Sequence, residues 1–341
     1  MQNQQIFIER VGESFRDCTQ IKSTQVSEPG ANEVLIRHHF AGVNAIYDQM
    51  LCADRVDHLE VKPPMAAGVE AIGTVVAAGG DVSKVQVGDA VASIGGGYCL
   101  YKCCDQSQVI AVPEASDRIL ALIPSGVSAL LALELTGEMK PGDTVLITAA
   151  AGGFGNIATQ LAVAAGNHVI AVCGDDRKAA WLGQQGVARV INYRRESLAE
   201  VLANEYPDAL DLALDSMAGE TFDTILEQLA PHGRLVVYGQ SSDRLPPAKV
   251  FQERVYTRLY WKAASVRGFM NYRFAEHFPA ARERLFREVA RGALKPLLDT
   301  EPFIGLAAVA DAADRQLAGQ NLGKVFVDLR PREAEVEKTS L

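Results

Sequence analysis

The chain has 341 residues, enough for about two domains, and its 48% hydrophobic content is that of a globular protein with packed cores rather than a disordered chain. A formal net charge of −9 leaves no electrostatic footprint for nucleic acid or anionic lipid. The opening MQNQQIFIER has no basic region followed by an apolar core, so no signal peptide is expected, and no apolar stretch is read as reaching the roughly 18 residues of a membrane span. The cysteines, Cys18, Cys52, Cys99, Cys103, Cys104 and Cys173, form no CxxC pair and no disulfide-scaffold spacing, which points to reduced thiols in a cytoplasmic protein.

In chain order, short apolar runs come first: Gln5–Val11, Glu33–Phe40, Gly68–Ala78, Ala90–Ile94 and Gln108–Val112. Pro29-Gly30, Pro63-Pro64, Gly79-Gly80 and Gly95-Gly96-Gly97 separate them, and strands at this spacing predict a compact barrel-like β domain over residues 1–123. From 124 the rhythm changes. Strands are expected at Thr144–Thr148, His168–Val172, Arg189–Asn192, Leu210–Leu214, Arg234–Tyr238 and Val266–Met270, with helical segments between them. Alternation of this kind predicts right-handed βαβ units and a doubly wound parallel sheet over 124–293. A helix is expected near Ala275–Ala293. The strand Gly323–Leu329 is assigned back to the first domain with the rest of 294–330, and 331–341 reads as a frayed charged tail.

The strongest chemical signal is the first βα turn. TVLITAAAGGFGNIATQLAVAAG holds Ala150-x-Gly152-x-x-Gly155 between an apolar strand and a helix whose apolar stripe is read as Ile157, Leu161 and Ala165. A glycine pattern alone is weak, but this context is that of a dinucleotide site. Gly152 and Gly153 would let the backbone approach a pyrophosphate, Gly155 would let the helix pack close to the strand, and the helix N-terminus would face the phosphates. A glycine-rich turn that binds nothing is the plain alternative.

The acid that reads the ribose is expected about 20 residues further on. The segment there is VIAVCGDDRK, with neutral Cys173 at the strand end and Asp175 two residues beyond. Two readings stay open. Asp175 could chelate a ribose diol and favour NAD; or Lys178 and Tyr193, near Arg177, Arg194 and Arg195, could hold a 2′-phosphate with Asp175 turned to solvent. The second, NADP, is favoured. No HExxH, HxH or Cys/His grouping has metal-ligand spacing, so no metal is expected, and Cys99, Cys103 and Cys104 read as structural thiols in a strand-like stretch.

The segments GVNAIYDQM, KPPMAAGVEAIGTVVAAGGDVSKVQVGDAVA, ITAAAGGFGNIATQLA, LGQQGVARVINY, GRLVVYGQ and SVRGFMNYRF resemble, in this order, the medium-chain dehydrogenase/reductase superfamily over about residues 5–330. They are most similar to its zinc-independent quinone oxidoreductase and enone reductase branch, of the prostaglandin reductase 3 type. Zinc members carry a cysteine and a histidine where this sequence has Asn44 and Val69, and the cysteine loop of their structural zinc is missing. The resemblance implies a GroES-like β-barrel domain, a Rossmann domain and NADP(H) as cofactor. It implies that Asn44 contacts the nicotinamide or its ribose and that Ser128 lies near the nicotinamide. Ala150, Gly152, Gly153, Phe154 and Gly155 would form the pyrophosphate turn, with Cys173, Lys178 and Tyr193 at the adenosine end, and Gly239, Phe269 and Asn321 along the dinucleotide path. Tyr47 stands where relatives carry aspartate, and Asp175 where a small hydroxyl residue often helps hold the 2′-phosphate.

Without a zinc to activate an alcohol, the chemistry that fits is hydride transfer to the β-carbon of an α,β-unsaturated ketone, or to a quinone, with hydrogen-bond donors stabilising the oxyanion. Tyr47 and Tyr272 are the candidate substrate donors, alongside Asn44. The partner expected is a small enone or quinone, with no nucleic acid and no membrane. The resemblance also implies a homodimer, and the apolar run Ser265–Met270 is a candidate edge for it. A low-turnover structural or dinucleotide-sensing protein and a zinc alcohol dehydrogenase are the alternatives.

Overall fold

The computed structural model describes residues 2–242 and 254–331; from 332 on, the expected tail lies outside the described residues. The chain divides into two compact units, one holding the described residues up to 123 together with those from 298, the other residues 124–297.

The first unit is built on two antiparallel sheets. In the smaller, Gln2–Ile8 lies between Thr19–Gln25 and Met65–Ala66. In the larger, Phe326–Asp328, Glu33–Gly42, Glu70–Ala78, Ala90–Ile94 and Val109–Ala111 follow in that order, and Tyr101–Asp105 also pairs with Glu33–Gly42. The late strand does return to the first unit, its Val327 facing Ala41. Glu33–Gly42 is covered on nearly every side chain and its register with Glu70–Ala78 shifts twice, which bends the sheet around the core. Thr19–Gln25 was not expected as a strand. It reads TQIKSTQ, its residues are at most half-buried, and an edge strand facing water needs no apolar alternation. The first strand starts at Gln2 rather than Gln5, because polar Asn3 is buried and its side chain bonds both backbone groups of Tyr101.

The second unit holds a six-stranded, wholly parallel sheet in the order Arg189–Asn192, His168–Cys173, Thr144–Ile147, Leu210–Asp215, Leu229–Val237, Ser265–Gly268. Numbered in sequence, that order is 3-2-1-4-5-6, with the helices Gly155–Ala164, Asp176–Gly183, Leu198–Glu205 and Gly219–Glu227 as crossovers. Strand cores such as Val145, Leu146 and Ile147 are fully buried, as a sheet covered on both faces requires.

Two readings need correction. On the helix Gly155–Ala164 the buried face is Ile157, Ala158, Thr159 and Ala162, whereas Ala165 is its exposed C-cap; small residues let the backbone pack close, so the largest side chains do not mark the face. A run long and apolar enough to cross a membrane does exist: Asp117–Thr136, 20 residues, 78% of whose most apolar window is buried within the protein. The helix passes through Pro124, Ser125 and Gly126 by π turns at Leu122–Gly126 and Ala132–Thr136. Pro124 lacks the N–H that a regular α-helical turn would use there. The burial makes this run a core helix.

Candidate active site

In the second unit, the parallel sheet reverses its order of construction on either side of Thr144–Ile147, and ligands of such sheets bind outside the carboxyl ends of the strands at that point. The glycine turn sits there. A Cβ on Gly155 would lie 2.2 Å from the Ala149 carbonyl oxygen and 2.7 Å from Ala150 Cα, so the helix can start this close to the strand only with glycine. A Cβ on Gly152 would meet the Ala149 oxygen at 3.2 Å. Buried Asn156 fastens the turn: its Nδ2 donates to the carbonyls of Gly152 (2.7 Å) and Gly153 (2.9 Å), and its Oδ1 accepts from the N–H of Leu297. Phe154 stacks on Tyr238 at 3.9 Å between ring centroids, and the Tyr238 hydroxyl donates to the Thr148 carbonyl. Thr148 in turn donates to Asp215, whose carboxylate accepts from the N–H groups of Met217 and Ala218. Gly239 lies against Ser216, where a Cβ would come within 3.0 Å of the Ser216 Cβ.

At the end of the next strand the Asp175 side chain is 23% exposed and is not turned to solvent. It caps the helix Asp176–Gly183 by accepting from the Lys178 N–H at 2.9 Å, and it lies 3.7 Å from Lys178 Nζ and 3.6 Å from Arg177. Burial alone would raise the Asp175 carboxyl, but the cap bond and the two cations outweigh it and hold it below its ordinary value. Burial lowers Lys178, with Asp175 opposing. Cys173 is a buried thiol raised by desolvation. The Tyr193 phenol closes over Gly174, where a Cβ would sit 2.3 Å from its hydroxyl. A cavity of about 360 Å³ opens beside these residues, lined by Gly174, Asp175, Asp176, Asn192, Arg194 and Arg195. A larger one, about 460 Å³, lies in the first unit around Asn3, Gln25, Cys99 and Lys102 and shares no residue with either group of candidate residues. Half-buried Ser128 is on the helix Val127–Leu131; Phe269 is buried and stacked on Phe274; Tyr272 is half-buried with Arg273 over its ring.

In the first unit, Asn44 precedes the helix Ala45–Cys52 and belongs to a buried network. Its Nδ2 donates to Glu70 Oε2 at 2.6 Å, and Lys324 Nζ lies 2.9 Å from its Oδ1 and 2.7 Å from Glu70 Oε1. Glu70 is fully buried and Lys324 nearly so, and Lys324 also donates to the Val43 carbonyl. One turn along the helix, buried Asp48 accepts from the Tyr98 hydroxyl at 2.7 Å. Desolvation pushes the Asp48 carboxyl up to about 7, with the Tyr98 bond lowering it and the Glu70 charge raising it. The Tyr47 hydroxyl lies 2.8 Å from His58 Nε2. Asn321 is buried and donates to the Gly323 carbonyl. Thus Asn44, Tyr47 and Asn321 belong to the first unit, and the other candidate residues to the second.

Residues 30–129 match the alcohol dehydrogenase GroES-like domain and residues 153–287 the zinc-binding dehydrogenase domain. Prostaglandin reductase-3 of Mus musculus is 38% identical over 340 residues, 96% of this chain and 89% of the relative. The chain belongs to the medium-chain dehydrogenase/reductase superfamily, in its quinone oxidoreductase and enone reductase branch. A probable quinone oxidoreductase of Leishmania amazonensis is 33% identical over 94% of this chain and 96% of its own length. The solved structure of Escherichia coli quinone oxidoreductase complexed with NADPH matches with a TM-score of 0.82 at 25% identity, over 96% of this chain and all of the other. The expected fold class, a GroES-like domain with a Rossmann domain, is thereby established.

One family domain is described as zinc-binding, and the residues here do not fit that metal. Asn44 and Val69 replace the ligands expected from the zinc members, and the negative charge of Glu70 is already met by the Lys324 ammonium, which also takes up the Asn44 oxygen. Among the described residues no three His, Cys, Asp or Glu side chains gather as a metal site. Residues beyond those singled out from sequence complete the network: Glu70, Asp48, Tyr98 and Lys324 around Asn44, His58 beside Tyr47, and Asn156 behind the glycines. Glu70 follows Val69 directly, in the segment that the resemblance pairs with Asn44, whereas Asp48 is brought beside Asn44 by the helix Ala45–Cys52, which was not expected. Lys324 and His58 are brought there only by tertiary folding.

Asp48 gives a pH prediction. Its folded-state pKa is about 7 against an ordinary 3.8, so the folded chain holds a proton that the unfolded chain releases first. Its contribution to stability is therefore fully present below about 4 and is lost as pH rises through about 7. Asp48→Asn keeps an oxygen for Tyr98 without the charge. It is expected to flatten that part of the profile and to stabilise the protein at pH 8, as read by urea unfolding across the range.

Proposed function

We propose that this protein reduces the conjugated double bond of α,β-unsaturated ketones, or quinones, with NADPH and without zinc. The observation that carries the reading is the seat of Lys324, whose ammonium lies 2.7 Å from Glu70 Oε1 and donates to Asn44 in the segment that would otherwise serve a metal. The names of the mouse prostaglandin reductase and the Leishmania quinone oxidoreductase, and the NADPH in the E. coli structure, support it. The dinucleotide, when bound, supplies the hydride. The Gly152–Gly155 turn would hold its pyrophosphate, Lys178 and Tyr193 would hold the 2′-phosphate near the cavity that Arg194 and Arg195 line, and Ser128, Gly239, Phe269 and Asn321 are the residues proposed for the rest of its length. Asn44 is held by Glu70 and Lys324 in one orientation, ready to position the nicotinamide end. Tyr47 is the favoured donor to the substrate: burial, then the charge of Asp48, pushes its phenol up to about 12, so it stays protonated at neutral pH. Tyr272 is the second candidate.

Product analysis tests the reading. A saturated ketone from an enone, formed at an undiminished rate in EDTA, is expected; an allylic alcohol, or rapid oxidation of simple alcohols, would overturn it. Lys178→Ala is expected to narrow the preference for NADPH over NADH by roughly ten- to a hundredfold, since a charge-assisted phosphate contact is worth about 1.5–3 kcal/mol; fluorescence titration with both cofactors checks this. A homodimer fits the edge position of Ser265–Gly268, where Val266 and Met270 are exposed, and light scattering at micromolar concentration tests it. Six unpaired cysteines fit a cytoplasmic location.

A further inference from the structure

We infer that His58 acts through Tyr47, returning to the Tyr47 phenol the proton it gives up in each turnover, an inference that rests on the proposed reduction and on Tyr47 as its proton donor. The helix Ala45–Cys52 places Tyr47 three residues after Asn44, so the two lie on neighbouring positions of one helix start. The helix ends at Ala53, and Asp54 takes a left-handed conformation with φ 52° that turns the chain back. The Asp54 side chain then accepts from the Val61 N–H at 3.2 Å, closing the loop that carries His58. The result is specific: His58 Nε2 lies 2.8 Å from the Tyr47 hydroxyl, and the two rings stack at 24° with centroids 5.9 Å apart.

The two side chains differ in their access to water, and that difference gives the pair a direction. Tyr47 is half-buried and packs against the core of the first unit. The His58 side chain is 24% exposed, and its other ring nitrogen, Nδ1, lies 3.8 Å from the carboxylate of Asp57, itself 86% exposed. After hydride reaches the β-carbon, the substrate holds the electron pair of an enolate. The α-carbon takes the proton of the Tyr47 hydroxyl, whose O–H bond breaks as the new C–H bond forms. The phenolate so left is partly out of water and next to Asp48, and burial and that charge both disfavour it, which is the same physics that keeps the phenol protonated at rest. The His58 ring gives a proton from Nε2 to the phenolate oxygen and takes one back from solvent. Imidazole is the side chain that both accepts and donates protons near neutrality. The sum is one hydride and one proton added across the double bond, with Tyr47 and His58 restored.

The test compares the full-length wild type with Tyr47→Phe, His58→Ala, His58→Gln and the double variant Tyr47→Phe/His58→Ala. Tyr47→Phe should lower kcat by about a hundredfold, the lower end of what a general acid contributes. His58→Ala should lower kcat by at least about tenfold with little change in KM, and added imidazole should restore it in a saturable way. The double variant should be no slower than Tyr47→Phe and deaf to imidazole, because His58 acts only through the phenol. His58→Gln keeps a hydrogen-bonding group but no transferable proton, so it should be as slow as His58→Ala. NADPH titration by fluorescence should be unchanged in all four, which separates a lost relay from a lost fold, and in the free wild type the ¹⁵N ring signals of His58 should move on Tyr47→Phe. Full activity in His58→Ala or in His58→Gln, or losses that simply multiply in the double variant, would overturn the relay while leaving the reductase reading intact. A wild type that binds NADPH yet reduces no conjugated carbonyl or quinone would overturn the reductase reading and the relay with it.

Discussion

Lys324→Met is expected to destabilise the protein by about 3–5 kcal/mol, the cost of leaving one member of a buried ion pair without its partner. Glu70 is fully buried, and Lys324 is the cation that meets its charge, 2.7 Å from Oε1. With methionine there, the carboxylate keeps only the Asn44 amide, and the Asn44 oxygen loses its own donor. Gly42 lines the same place so closely that a Cβ on it would come within 2.1 Å of Glu70 Oε1, so the carboxylate has no room to swing away toward that side. The thermal midpoint should fall by on the order of 10 °C. Replacing both charges, in Glu70→Leu/Lys324→Met, should recover much of that loss, because an apolar pair of similar size avoids the desolvation altogether. A single Lys324→Met variant as stable as wild type would mean that water reaches the pair. The recovered double variant should still bind dinucleotide at the Gly152–Gly155 turn yet reduce substrate slowly, since Asn44 would no longer be held.

How far the sequence reveals this arrangement depends on whether the signal is local. The parallel sheet was legible because each strand is a short apolar run flanked by turn residues, and Arg189–Asn192 falls where it was read. The glycine turn was legible because its spacing reflects a contact made within one βα unit. The strand Thr19–Gln25 was not, because its pairing partner and not its own pattern makes it a strand. The same distinction holds at the sites. Asn44, Tyr47 and Lys178 stand in recognisable segments, whereas the Lys324–Glu70 pair joins residues more than two hundred positions apart, and His58 reaches Tyr47 through a loop without periodicity. Asp175 illustrates a different loss. Its type and position match a ribose-reading acid as well as a helix cap, and the cap shows only in the direction of the side chain, which here accepts from the Lys178 N–H.

Gly155→Ala should abolish measurable NADPH binding at micromolar protein while leaving the first unit folded. The added methyl would meet the Ala149 oxygen at 2.2 Å, Ala150 Cα at 2.7 Å and the Ala149 carbonyl carbon at 2.9 Å, all of them backbone atoms that no rotamer change can move. Ala149 already holds a left-handed conformation, with φ 48°, so the turn has little freedom to yield on that side. The helix Gly155–Ala164 must instead retreat from the strand end. That strains the two bonds from Asn156 to the carbonyls of Gly152 and Gly153 and carries the helix N-terminus away from where a pyrophosphate would lie. Overpacking of this kind costs about 1–3 kcal/mol in stability, and the loss of affinity should exceed what that cost alone implies, because the displaced group is the anion-binding surface itself. Gly183→Ala is the control. It lies at the end of a helix with open space where its Cβ would be, so it should stabilise the protein by about 0.5–1 kcal/mol and leave NADPH binding untouched. If Gly155→Ala binds NADPH as wild type does, in fluorescence titration and in calorimetry alike, then the cofactor does not depend on this turn, and the placing of its pyrophosphate at Gly152–Gly155 is wrong.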